Sequence, residues 1–379
     1  MGNKRQRKII LRLLLGVLIL ITGLVVEFVI HRYRSNRSIA FRAQGSAIQI
    51  YQGKKWQDFT VKGVNLGSGE EGFTKTDYGR WLKSMAAMNA NLIRVYDILP
   101  PEFYQAFFEY NLLSSKPLYL LQGMRLGEGF LASNQNAFDE ELSAEFFARI
   151  RNVIDAIHGK LSLKERKYNL DIAPYVMGYV LGEDISADFI VLTNDNNTHV
   201  MGFEGDYLYT VNASPLEAWL AGMGNFAISY EQFKYKGPLH LVSWSYWSDM
   251  DQADIDVEDI HPTEKLASGI FASYQIYPNH SYETRLDELK ARYSMPVLAV
   301  EFGTSVSKDK GKSGNPRPYV SQIGQVEATA LMFDNIIEAG FAGGVMYAWQ
   351  DEWFRETWTD AYKNPNESYA ILQKKFAEY

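Results

Sequence analysis

Between Val61 and Ala348, short apolar runs alternate with amphipathic stretches, the pattern that parallel strands and their crossover helices leave in a sequence. The predicted strands are 61–66, 92–96, 118–123, 175–181, 239–244, 270–274, 297–300 and 344–348. A helix around 78–88 separates the first two. A longer one over about 138–157 carries apolar residues at helical spacing with charges between them. Eight strands separated by helical segments predict an α/β fold, a closed (β/α)8 TIM barrel. Upstream, 48–51 and 58–61 flank Gly53-Lys54-Lys55 and predict a hairpin over the bottom of the barrel.

Two connections exceed ordinary length, 184–214 after strand four and 245–268 after strand five. The first carries a turn signal from Thr193 to Thr198, with Asn196-Asn197-Thr198 formally a glycosylation acceptor. The second holds Asp249, Asp251, Asp254, Asp256, Glu258 and Asp259, which lack the spacing of a calcium loop and read as a solvated acidic stretch.

The amino terminus has a different pattern. Lys4, Arg5, Arg7 and Lys8 precede an apolar run from Ile9 to Ile30 broken only by Arg12 and Glu27, about the length that crosses a bilayer as a helix. Basic His31-Arg32-Tyr33-Arg34 follows where a cleavage site would show small residues. Residues 1–37 are therefore expected to be a cytoplasmic tip and an uncleaved transmembrane signal-anchor. Residues 38–379 are expected to form the catalytic domain of a single-pass cell-membrane protein, outside the cytoplasm and with the lipid bilayer as one partner.

The chain has 379 residues and a formal net charge of -7, which argues against a nucleic-acid surface. Its 24 Tyr and 8 Trp suit a carbohydrate groove, where flat rings stack on sugars. Cysteine is absent, which excludes disulfides, thiol nucleophiles and cysteine-ligated metals. No cofactor and no metal site are predicted.

Glu183 and Glu301 each sit where an apolar run ends, Tyr175–Leu181 followed by Gly182, and Pro296–Val300. A carboxylate at the carboxyl end of a buried parallel strand occupies the face where such barrels do chemistry. Two of them suggest glycoside cleavage, one carboxyl protonating the departing oxygen and the other attacking the sugar carbon. Arg94, a charge inside the apolar run around it, is costly unless paired; beside Glu301 it would favour the ionised form and make Glu301 the nucleophile. Glu183, facing an aromatic cleft, would keep a proton to donate. Asp184 competes with Glu183, and Glu70 and Glu71 face the same rim. Trp349, Trp244 and Trp247 could equally pack; Trp349 is placed in the site because Gln350, Asp351 and Glu352 follow it, and Trp244 is a further sugar-binding candidate.

Gly63-Val64-Asn65-Leu66-Gly67, Asn91–Tyr96, Glu183, Tyr277-Pro278, Glu301-Phe302-Gly303 and Tyr347-Ala348-Trp349-Gln350 together resemble the clan of retaining (β/α)8 glycoside hydrolases. The resemblance covers most of Val61 to Trp353 and is nearest to the family-two, endoglucanase and mannanase types. It implies Glu183 as acid/base and Glu301 as nucleophile, with Arg94 holding the nucleophile. It also implies Tyr277 as the aromatic after strand six and Trp349 as the sugar platform. Gly182 stands where the clan has an asparagine for the sugar 2-hydroxyl, and Gln275 where it often has a histidine. The function expected is a membrane-anchored retaining glycosidase acting on a β-linked oligo- or polysaccharide. A transglycosylase using the same residues and a barrel that binds glycan without cleaving it are the alternatives.

Overall fold

The computed structural model describes residues 10, 14–24, 27, 40–67, 72–126, 136–183, 185–247, 257–277, 282–304, 322–350 and 375–378. By contacts the chain divides into two units, Met1–Ile39 and Ala40–Tyr379.

In the larger unit eight parallel strands close a barrel: Val61–Asn65, Leu92–Val95, Tyr119–Met124, Val176–Leu181, Leu241–Trp247, Ala272–Ile276, Val297–Phe302 and Gly343–Met346. The last returns to the first through Gly343–Val61 to Met346–Val64 pairing. The third, fourth and seventh strands are buried along their whole length, because helices cover one face and the lumen the other; this is why they read as mainly apolar runs, interrupted only by Gln122 and Glu301. The sixth strand starts two residues later than predicted. Gly269 holds a left-handed turn, and Ile270 makes only an isolated bridge to Val242. The fifth runs on to Trp247, past the predicted end. Apolar character marks burial, not the point where a ladder begins.

The predicted hairpin is part of a three-stranded antiparallel sheet, Ala40–Gln44, Ala47–Gln52 and Lys55–Asp58, but its second strand lies at Lys55–Asp58 and not at 58–61, because the chain turns within Gly53-Lys54 and pairing resumes at Lys55, while Val61 already belongs to the barrel. The rings of Phe41 and Phe59 pack edge-on against Tyr119 at 4.9 and 5.5 Å, and so cover the amino-terminal end of the third barrel strand.

The described parts of both long connections form secondary structure. Ser186 caps the helix Ala187–Asn196, so the predicted turn at Thr193 falls in that helix's last turn, with the Thr193 hydroxyl accepting from the Ala137 amide. Leu208–Thr210 pairs with Ile260–Pro262, joining the connection after strand four to the one after strand five. Of the acidic stretch, Glu258 accepts from the Ser294 amide, while Asp249, Asp251, Asp254 and Asp256 lie outside the described residues.

The helix Pro215–Tyr235 opens with a reciprocal Ser214–Glu217 cap and a proline in its first turn. From it Glu231 reaches a buried cluster near the start of strands four and five. Oε1 accepts from Tyr179 Oη at 2.7 Å and lies 2.8 Å from His158 Nε2; Oε2 lies 2.9 Å from His240 Nδ1. His240 Nε2 faces the Ala173 carbonyl at 3.1 Å, so both its nitrogens meet acceptors. Burial pushes the Glu231 carboxyl up, but the charge of His240 and the bonds from both histidines outweigh it and bring its pKa down to about 2. Burial lowers that of His240, and Glu231 more than offsets this.

In the smaller unit residues 14–24 are helical, with Leu14, Leu18, Ile19 and Leu20 more than half exposed. No helix among the described residues is long and apolar enough to cross a membrane.

Candidate active site

Residues two apart on a strand share a face, and on the second barrel strand this turns Arg94, and Tyr96 just beyond the strand's end, into the lumen. Arg94 is fully buried. Its Nη1 donates to Asn65 Oδ1 at 3.0 Å, to the Val300 carbonyl at 3.1 Å and to Glu301 Oε1 at 2.9 Å; Nη2 donates to Glu183 Oε1 at 2.7 Å. The guanidinium also lies 4.5 Å from the centre of the Tyr96 ring. Burial pulls its pKa down, but the charges of Glu183 and Glu301 outweigh that and hold it above the ordinary arginine value.

Neither glutamate reaches the lumen by strand alternation. On strand four, Tyr179 points outward to Glu231 on the covering helix, so strict alternation would send residue 183 outward as well. Gly182 stands between them with φ of +66°, and the left-handed residue turns Glu183 inward. A Cβ at 182 would lie 3.1 Å from Ile185 Cδ1 and 3.5 Å from Leu220 Cδ2, toward the helix layer. An asparagine at this position would therefore not point at a sugar in the lumen.

On strand seven the device is a bulge. Tyr274 pairs with Ala299 and Gln275 with Glu301, which leaves Val300 as the extra residue. Tyr274 faces outward, its hydroxyl against that of Tyr293 just after the helix Tyr282–Arg292, and Phe302 packs outward on Phe333 at 5.8 Å. The extra residue brings Glu301 to the inner face.

Glu301 accepts from three donors: Arg94 and the Tyr96 hydroxyl, at 2.6 Å, on Oε1, and the Tyr277 hydroxyl, at 2.7 Å, on Oε2. Burial holds Tyr96 well above the ordinary phenol value, so it remains a donor. The rings of Tyr277 and Tyr347 meet edge-on at 6.4 Å. Glu183 is 0% and Glu301 5% exposed.

The structure thus brings together Glu183, Glu301, Arg94 and Tyr277. Trp349 is half-buried nearby, its amide donating to the Asn65 carbonyl at 2.8 Å. Trp244 is elsewhere: fully buried on the outer face of strand five, it donates from Nε1 to the Leu220 carbonyl of the covering helix at 3.1 Å. Its ring fills the strand–helix interface, which corrects its placement as a sugar contact. Asp184, Glu70, Glu71, Pro278, Asp351, Glu352 and the Trp247 side chain lie outside the described residues. Sequence reasoning assigned no role to Tyr96 or Asn65. Tyr96 was readable from its two-residue offset from Arg94, whereas the Asn65–Arg94 contact crosses between strands and leaves no local signal.

No family model matches the chain, and no curated protein shows significant similarity to it. Solved structures do. A GH2 beta-galacturonidase from Eisenbergiella tayi superposes with a TM-score of 0.56 at 14% identity, over 90% of this chain and 54% of that one. The Ruminococcus gnavus beta-glucuronidase gives 0.54 at 13%, over 90% and 53%. ScGas2 gives 0.52 at 18%, over 90% and 68%. These likenesses show a shared fold, the (β/α)8 barrel. The chain spans about half the length of the two bacterial enzymes.

Proposed function

We propose that this protein is a retaining glycoside hydrolase acting on a β-linked glycan, with Glu301 as nucleophile and Glu183 as acid/base. The observation that carries the reading is Arg94. One guanidinium gives a terminal nitrogen to each glutamate, so carboxyls from strands four and seven meet at the barrel face where such folds do chemistry. Retaining enzymes hold their carboxyls about 5 to 5.5 Å apart, and two carboxylates on one guanidinium are drawn close in this way. Three donors fix both oxygens of Glu301 for attack on the anomeric carbon. Paired with Arg94, Glu183 is held ionised, so it would first exchange that contact for a proton from solvent as the sugar enters, pass this proton to the glycosidic oxygen as the bond breaks, and then take a proton from the water that releases the glycosyl group.

Two of the structural neighbours are named for uronides, which makes aryl β-uronides the first substrates to test, alongside β-glucosides and β-galactosides. The decisive experiment is trapping with a 2-deoxy-2-fluoro glycoside. We expect a covalent adduct on Glu301. Turnover without any adduct, and with inverted product, would overturn the retaining mechanism. Added sugar acceptors distinguish hydrolysis from transglycosylation on the same site.

A second reading, a barrel that binds glycan without cleaving it, is favoured by one observation: Glu183 is wholly buried and ion-paired. Calorimetric glycan binding with no cleavage of any aryl glycoside would select it. The apolar residues at 14–24 and the basic residues before them support an anchor within 1–37, with the domain outside the cytoplasm. A carboxyl-terminal tag inaccessible in intact cells would overturn that placement.

A further inference from the structure

The lumen faces of strands five and six carry Ser243, Ser245, Ser273 and Gln275, all at most 2% exposed. Two of the hydroxyls are consumed by the fold: Ser243 Oγ donates to the Phe271 carbonyl at 2.6 Å, and Ser273 Oγ to the Trp244 carbonyl at 3.0 Å. Ser245 Oγ is different. It is buried and has no hydrogen-bond partner among the described residues. A buried hydroxyl left unsatisfied is destabilising, and alanine at the same place would avoid that cost.

Its position gives the cost a purpose. Trp244, paired with Leu181 on strand four, points out to the helix layer, so Ser245 points into the lumen, one step further along and level with Gly182. On the other side it pairs with Ser273, two residues before the Gln275 that faces Glu301. It therefore lies in the run of strands between those that carry Glu183 and Glu301, and is buried as they are. Gly182 has no side chain to supply a polar contact here, and its backbone amide is already given to the Met124 carbonyl.

We propose that Ser245 is a specificity-determining residue of this site, its Oγ hydrogen-bonding one ring hydroxyl of the sugar held between Glu183 and Glu301. The inference rests on the glycosidase reading. The test compares wild-type protein and S245A on the aryl β-glycoside that the wild type cleaves fastest and on the monodeoxy analogues of that glycoside. S245A is expected to lose about tenfold in kcat/KM on the parent, and one analogue is expected to erase the difference between the two proteins. Without ligand, the Tm of S245A should hold or rise, since no partner is lost. An equal effect of S245A on the parent and every analogue, or no effect on any, would overturn the proposal. So would a Tm lowered by several degrees, which would reveal a structural partner. If the wild type cleaves none of the glycosides, the glycosidase reading itself fails and this inference falls with it.

Discussion

Gly182 sets the direction of Glu183. The glycine's left-handed backbone turns the next carboxylate from the helix layer into the lumen, where it meets Arg94 at 2.7 Å. G182A forces a Cβ into that conformation and toward Ile185, so we expect a loss of about 1–3 kcal/mol in urea unfolding. G182N should lose less, because asparagine tolerates the left-handed region, and should gain no activity, because its side chain faces Leu220. Improved turnover in G182N would show that residue 182 does look into the site.

Removing Arg94 leaves two buried carboxylates without their shared cation. R94A should destabilise by about 3–5 kcal/mol, and adding E301Q should recover part of that loss by deleting one of the stranded charges. R94K should not restore the wild-type value, since an ammonium lacks the two terminal nitrogens that span the pair. Additive losses in the double variant would mean that the contacts are energetically independent.

Tyr96 is expected to act through Glu301. Y96F removes one of three donors and keeps the ring over the guanidinium, so kcat should fall by about 10- to 100-fold with the fold intact by circular dichroism. A change confined to KM would place Tyr96 on the substrate instead.

For Glu183, replacement by alanine should cost far more on natural β-glycans than on aryl glycosides with good leaving groups, and azide should restore turnover of the latter. Equal losses on both, with no azide rescue, would transfer the acid/base role away from Glu183.

The Glu231 cluster gives stability a pH window. Glu231 has a folded pKa of about 2 against an ordinary 4.5, so its contribution is present above 4.5 and lost as pH falls toward 2. His240 is raised above 6.5, so its contribution is full below 6.5 and is lost as pH rises through the raised value. Wild-type Tm should peak between these limits, and E231Q should flatten the profile while lowering it, since a buried charge loses its partner. An unchanged profile in E231Q would assign the pH dependence elsewhere.

Much of the fold was legible because strands buried on both faces leave apolar runs, and the glutamates stood out as charges ending two of them. Arg94 was legible for the same reason, as a charge within a run. Trp244 misled because alternation fixes which residues share a face but not which face is the lumen; that is settled by Leu220 on a helix far away in sequence. Gly182 was read as a missing asparagine, although its role lies in φ. Val300 carried no signal at all, since a valine in a bulge looks like a valine in a ladder.

The bulge at Val300 means that the chemistry here is written partly as a count of residues. A designer who grafted Glu183, Arg94 and Glu301 onto an ideal eight-stranded barrel, with regular strands and no left-handed glycine, would obtain both carboxylates buried against the surrounding helices and Arg94 stranded in the lumen without them. Deleting Val300 from this chain should do the same to Glu301, although every side chain named in the site would still be present.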